Sequence, residues 1–227
     1  MFSPLLHLFY PHSCEGCGRD LSRHEEVLCL RCYQRMPATR FHMVANNPIE
    51  KLFWGRSPVA HGSAAYFFGK RSNLQQLIHS FKYLGRRDIA LYLGRQMGNM
   101  LLECPWFNDV SGVVPVPLFK SRERKRGYNQ AGVLGEGIKD VTGCPLLHDV
   151  LKRKNYTQTQ THKGRGDRWQ NVGDVFAGQH LAQLENKHVL LVDDVLTTGA
   201  TLEACARQLQ QGHNVTVSIF CLAYTMI

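Results

Sequence analysis

The sequence predicts an α/β fold with a mainly parallel sheet, preceded by a small four-cysteine module, and three observations carry that expectation. Two Cys-x2-Cys pairs, Cys14/Cys17 and Cys29/Cys32, stand close together near the amino terminus. Strand-like and helix-like periodicities then alternate along the chain. Four apolar residues, Val189 to Val192, run into an acidic pair and a loop of small hydroxyl-bearing residues before the last predicted helix. Strands alternating with helices argue for parallel pairing, with a ligand at the carboxyl ends of the strands.

Taken in order, the first unit, residues 1–37, is short and lacks an apolar period. Eleven residues separate its two cysteine pairs, and two such knuckles bring four thiolates into a tetrahedron, which points to a structural zinc held by Cys14, Cys17, Cys29 and Cys32. Gly16 and Gly18 fit the tight turn of the first knuckle. His12 and His24 are read as bystanders, since cysteine fills all four ligand positions. Residues 38–60, with Asn46-Asn47-Pro48 and Ser57-Pro58, read as an irregular connecting segment. A larger α/β domain then occupies residues 61–227.

That domain opens with a strand, SAAYFF, and continues with a helix placing Leu74, Leu77, Ile78 and Phe81 on one face. A second helix lines up Ile89, Leu93, Met97, Met100 and Leu101, and a strand at Gly112-Val113-Val114 ends at Pro115. After a basic segment, Ala131, Leu134, Ile138 and Val141 recur at helical spacing, with Gly143 as the stop. Residues 152–173 are polar, basic and without apolar period, and fit a long functional loop or a disordered linker equally well. The strand ending at the acidic pair, a helix from about Thr201 with Leu202, Cys205 and Leu209 inward, and a last strand at Val215 to Ala223 complete the pattern.

Composition limits the partners. With 44% hydrophobic and 20% charged residues the chain reads as globular. No stretch approaches the roughly 18 uninterrupted apolar residues of a bilayer span, so no membrane insertion is expected. The segment MFSPLLHLFYPHSC lacks a basic start and is broken by Pro4, His7 and Pro11, which disfavours a secretory leader and points to the cytoplasm. In that reducing compartment the clustered cysteines favour metal over disulfides. Net charge is +9, and between Pro115 and Gln170 there are 12 Lys/Arg against 5 Asp/Glu. An anionic partner is therefore expected in that quarter of the chain.

The acidic pair and its loop say which anion. Asp193 and Asp194 stop the strand in this reading, and small residues after Leu196 let backbone N–H groups close on an anion at a helix N-terminus. Thr197, Thr198 and Thr201 add hydroxyl donors. Two carboxylates beside a phosphate suit vicinal sugar hydroxyls, or a Mg²⁺ ion between them and the phosphates. A strand end with two solvated aspartates and a capping threonine explains the residues about as well. No GxxxxGK[ST] is present, and Gly164 to Trp169 fails as a GxGxxG.

The 13 positions VLLVDDVLTTGAT resemble the phosphoribosyl-diphosphate (PRPP) motif of the type I phosphoribosyltransferases. The resemblance implies that Asp193 and Asp194 hold the ribose hydroxyls in the catalytic site, and that Thr197, Thr198, Gly199, Ala200 and Thr201 hold the 5-phosphate. It also implies Mg²⁺ bound with PRPP, and a diphosphate loop at the PVPL strand end, with Val116, Pro117, Lys120 and Arg122 as contacts. Arg124, Lys125 and Arg126 are further candidates, of which one or two are expected to serve. The order of four-cysteine module, PVPL, RGYNQA, the R-x2-N-x-G-x2-F stretch from Arg168 to Phe176, and the PRPP motif is similar to the ComF/GntX family, associated with competence and the use of external DNA. Within the basic loop Arg168 and Asn171 are the preferred candidates.

Two functions stay open on this basis. One is Mg²⁺-dependent transfer of a phosphoribosyl group to an acceptor for which no base pocket is legible. The other is a non-catalytic protein that keeps the PRPP site as sensor or scaffold and binds single-stranded DNA or a DNA-processing protein, with Tyr128, Tyr156 and Trp169 interleaved among Lys and Arg.

Overall fold

The structure is a computed structural model, and it describes residues 12–154 and 175–226. A short helix α1 (Leu30–Gln34) follows the second cysteine pair, and α2 (Pro48–Phe53) is capped by Asn47, whose side chain accepts from the N–H groups of Ile49 and Glu50. Strand β1 (Val59–Phe67) leads into α3 (Asn73–Tyr83), α4 (Arg87–Leu102) and β2 (Val110–Pro115). Helices α5 (Lys120–Arg126) and α6 (Gln130–Thr142) precede the short strands β3 (Leu151–Arg153) and β4 (Phe176–Gly178). Strand β5 (His188–Leu196), α7 (Ala200–Leu209) and β6 (Thr216–Tyr224) complete the order.

The main sheet has the order β1-β6-β5-β2 and every pairing in it is parallel, as the alternation of elements predicts. Central β5 is covered on both faces, which is why Val189 to Val192 form an unbroken apolar run. Leu190 and Val192 pack with α3, α4 and α6, whereas Val189 and Leu191 pack with α2 and α7. Helices α4 and α6 cross at glycines. A Cβ on Gly94 would lie 2.3 Å from the Leu134 carbonyl oxygen, and one on Gly137 would lie 2.4 Å from that of Leu91. No larger residue fits either position without moving a backbone.

Three local expectations are corrected. The acidic pair does not stop its strand: β5 runs on to Leu196, because Val195 and Leu196 continue the ladder opposite Ala223 and Tyr224 and Leu196 is buried. Residues 38–60 are not irregular throughout, since α2 buries Ile49 and Phe53 in the core beneath β1. The start of the polar 152–173 stretch belongs to a hairpin, with Arg153 opposite Phe176 in the antiparallel β3–β4 pair. Phe176 is buried there, and this tertiary contact has no period in the sequence to announce it. Among the described residues no helix is long and apolar enough to cross a membrane.

Candidate functional site

The carboxyl end of β5 is where the sheet exposes functional groups. Strand alternation sends Asp193 toward the α7 side and Asp194 toward α3, yet both line one hollow of about 160 Å³ at the strand's end. Val116, Pro117 and Leu118 form its floor beyond β2, and Lys82, Arg122, Arg126 and Arg153 bring positive charge to it from α3, α5 and β3. A smaller hollow of about 40 Å³ adjoins it, lined by Asp193, Thr197 to Thr201 and the flanking leucines. The two share Asp193 and Thr201.

The loop between β5 and α7 closes through Gly199, which caps the helix at φ 76°. A Cβ there would meet Leu52 and Phe53 at 3.1 Å, so both conformation and space call for glycine. Among the described residues no side chain caps the helix start, where the dipole favours an anion. Arg56 braces the loop from outside. Its guanidinium donates to the Thr198 carbonyl at 3.1 Å and to the Leu52 carbonyl at 3.2 Å, and its Nε donates to Glu203 at 2.9 Å.

On the other wall, Val116 N–H donates to the Val192 carbonyl, and the Asn129 side chain donates to the Val116 carbonyl at 3.0 Å while accepting from Ala131 N–H to cap α6. This ties the PVPL turn to the RGYNQ stretch. Tyr128 is half-buried, with its hydroxyl donating to the Phe81 carbonyl, and so packs against the domain. Among the basic candidates Arg122 and Arg126 line the hollow. Lys120 does not line it, nor do Arg124 and Lys125.

Charge inside the hollow is unevenly matched. Burial and the neighbouring Asp194 charge push the Asp193 carboxyl up to about 7, against the pull of the Asp194 N–H, Lys82 and Arg153. Lys82 Nζ lies 2.8 Å from Asp194 Oδ1. The Arg153 guanidinium lies 3.7 Å from the Phe119 ring centre and 5.0 Å from that of Phe176, and burial lowers its pKa. Its Nε is buried without a hydrogen-bond partner among the described residues. Such an unpaired donor in an anion hollow is suited to a phosphate oxygen.

Lys82, Arg153 and Arg56 escaped sequence reasoning. A lysine in a helix's last turn is ordinary complementation of the dipole, and Arg153 stands within a basic run. Neither offers a spacing that sets it apart. Tyr156, Arg168, Trp169 and Asn171 lie outside the described residues.

The four module cysteines meet. Their sulfurs all lie within 4.8 Å of one another, with Cys17 and Cys29 Sγ atoms 3.8 Å apart. That is far too long for a disulfide, and it matches the edge of about 3.8 Å that four sulfurs at 2.3 Å from a tetrahedral metal would have. Burial alone would raise the Cys14 thiol, but N–H groups including that of Cys29, at 3.2 Å, bring it down to about 7. Cys32 is pushed up to about 12 by burial and the surrounding thiols. The donor set fits a soft, tetrahedral cation. His12 Nε2 bonds instead with the Glu26 carbonyl.

A family model described as phosphoribosyl transferase domain matches residues 104–226. Competence protein F of Haemophilus influenzae is 38% identical over 202 residues, covering 87% of this chain and 78% of that protein. Competence protein ComFC of Bacillus subtilis is 34% identical over 213 residues, covering 93% and 77%. DNA utilization protein YhgH of Escherichia coli is 28% identical over 220 residues, covering 94% and 90%.

Proposed function

The chain belongs to the ComF family of proteins with a phosphoribosyl transferase domain, and from that premise we propose that it binds PRPP with Mg²⁺ at the carboxyl end of β5. The observation that carries this reading is the meeting, in two hollows that share Asp193 and Thr201, of two carboxylates and four cations in one with a threonine-rich helix start in the other. Asp193 and Asp194 accept hydrogen bonds from the ribose hydroxyls. The loop from Thr197 through Gly199 and Ala200 to Thr201 receives the 5-phosphate, and Arg122, Arg126 and Arg153 meet the diphosphate above Val116 and Pro117. Asp193 and Asp194 are the carboxylates that line the hollow among the described residues, and Asp194 is tied to Lys82, a donor set that would suit an ion held mainly by the diphosphate and water. Mg²⁺ supplies charge neutralisation there.

Such a site can run transfer of the phosphoribosyl group. An acceptor forms its bond to the anomeric carbon as the bond to diphosphate breaks, and positive charge builds on the ribose. The chain's part is to orient the ribose with its carboxylates and hold the leaving diphosphate with its cations, without a covalent nucleophile. The relatives' names are those of competence and DNA-utilization proteins, and we place this chain in a like role, with the cytoplasm as its proposed location. The four-cysteine module, residues 1–37, would hold a structural zinc, with 38–60 as connection and 61–227 as the phosphoribosyltransferase-like domain.

Calorimetric titration of Mg²⁺-PRPP into wild type and into a variant carrying Asp193→Asn and Asp194→Asn tests the reading. Saturable binding by wild type, weakened at least about 100-fold in the folded variant, is expected from two lost charge-assisted bonds. Equal binding by both proteins would remove the ribose site from β5.

A further inference from the structure

Lys82 belongs to no element of the phosphate loop or of the PVPL turn, yet it touches Asp194, one of the two carboxylates assigned to the ribose. It projects from the last turn of α3, and its ion pair with Asp194, at 2.8 Å, is largely enclosed, the two side chains being 17% and 15% exposed. It also lines a second, larger hollow of about 470 Å³ that adjoins the first. Arg122 and Arg126 line both hollows as well. Tyr83, Gly85 and Lys125 complete its described lining, with Arg126 lying 5.5 Å from the Tyr83 ring centre. Among the described residues no acidic one lines that hollow.

The consequence is a competition. A ribose hydroxyl approaching Asp194 must take the place of the ammonium group, and a neutral hydroxyl cannot return to Lys82 the charge it loses in an enclosed site. A ligand that brings its own anion can, because Lys82 is able to turn from Asp194 toward the neighbouring cationic hollow and pair there with a diphosphate. Ribose 5-phosphate carries no such group on its anomeric carbon; PRPP does.

We propose that Lys82 is a specificity-determining residue that occupies the ribose-reading carboxylate in the unliganded protein and releases it only to a ligand bearing a diphosphate. The role rests on the PRPP reading given above. It makes recognition of the two ends of PRPP interdependent: the ribose gains its carboxylate when the diphosphate captures the lysine. Lys82 is thereby a positioning residue as well, since the freed Asp194 orients the sugar.

The test is a set of calorimetric titrations, at one Mg²⁺ concentration, of PRPP, ribose 5-phosphate and inorganic pyrophosphate into wild type, Lys82→Gln and Lys82→Arg. For Lys82→Gln the preference for PRPP over ribose 5-phosphate should fall about 30- to 100-fold. Pyrophosphate and PRPP should bind more weakly, and ribose 5-phosphate as well as or better than to wild type. Lys82→Arg, which can make the same exchange, should restore most of the preference. A purely structural lysine would lower all three affinities together, and that result, or an unchanged preference with tight PRPP binding, overturns the role of Lys82 alone. Absence of PRPP binding by wild type overturns the PRPP reading, and this inference falls with it.

Discussion

At Asp193 the needs of folding and of ligand binding oppose each other. Its carboxyl is pushed up to about 7 by burial and by Asp194, whereas an unfolded aspartate titrates near about 3.9. Between those values the folded state holds the extra proton, so this residue's contribution to stability is full below about pH 4 and is lost as pH rises through about 7. Asp193→Asn removes the charge but keeps the shape. The stability of the variant relative to wild type should rise by about 2–4 kcal/mol between pH 4 and pH 8, as urea unfolding at the two pH values would measure. A gap that did not change with pH would mean that Lys82 and Arg153 compensate the carboxylate fully. Of the residues around it, Asp193, Asp194 and Gly199 were legible because their types are unusual at a strand end. Lys82 and Arg153 were not, because a cation at a helix end or in a basic run is what solvated surfaces ordinarily carry.

At the scale of elements, the phosphate loop depends on a segment that reads as mere connection. Helix α2 presses Leu52 and Phe53 against Gly199, and Arg56 just beyond it joins the Thr198 carbonyl to Glu203 in the first turn of α7. Arg207 closes the group by pairing with Glu203 at 2.8 Å. Arg56→Ala leaves Glu203 half-buried with one cation fewer and frees the loop from its outer brace. Stability should fall by about 1–3 kcal/mol in denaturant unfolding. Affinity for Mg²⁺-PRPP should fall about 10-fold in calorimetry, and intact affinity with reduced stability would make Arg56 a fold residue only. Helices α3, α4, α6 and α7 were legible from their apolar stripes, as with Leu74, Leu77, Ile78 and Phe81 in α3, whereas α5 buries no residue and read only as a basic segment. The hairpin of β3 and β4 was hidden because three-residue strands carry too few positions to set a period.

At the scale of the molecule, the four-cysteine module is continuous with the main core. Cys14, Cys29 and Cys32 are buried in one cluster with Val27 and Leu28, and that cluster includes Tyr66 of β1 and Leu77 and Phe81 of α3. Metal loss should therefore be felt beyond the module. Purified protein is expected to hold about one zinc per chain, and chelation should lower the unfolding midpoint by about 10 °C or more in a single transition. Two separate transitions in scanning calorimetry, with the upper one unmoved, would show that the module folds apart from the rest. Cys32→Ser, which removes a ligand without a chelator, should reproduce the shift.

The sequence by itself determined the α/β class, the parallel sheet, the meeting of four cysteines and the position of the acidic pair with its loop. Each of these rests on local pattern: the period of apolar residues, the spacing of thiols, and a contiguous motif whose parts act on neighbouring atoms. Only the tertiary structure decided that β5 continues through the acidic pair, that α2 and Arg56 support the phosphate loop, and that Lys82 sits on Asp194. Those contacts join residues as much as 147 positions apart, as Arg56 and Glu203 are. What brings such residues together is burial of the strands' two faces under different helices, and no single stretch of sequence encodes which cation will arrive at which carboxylate.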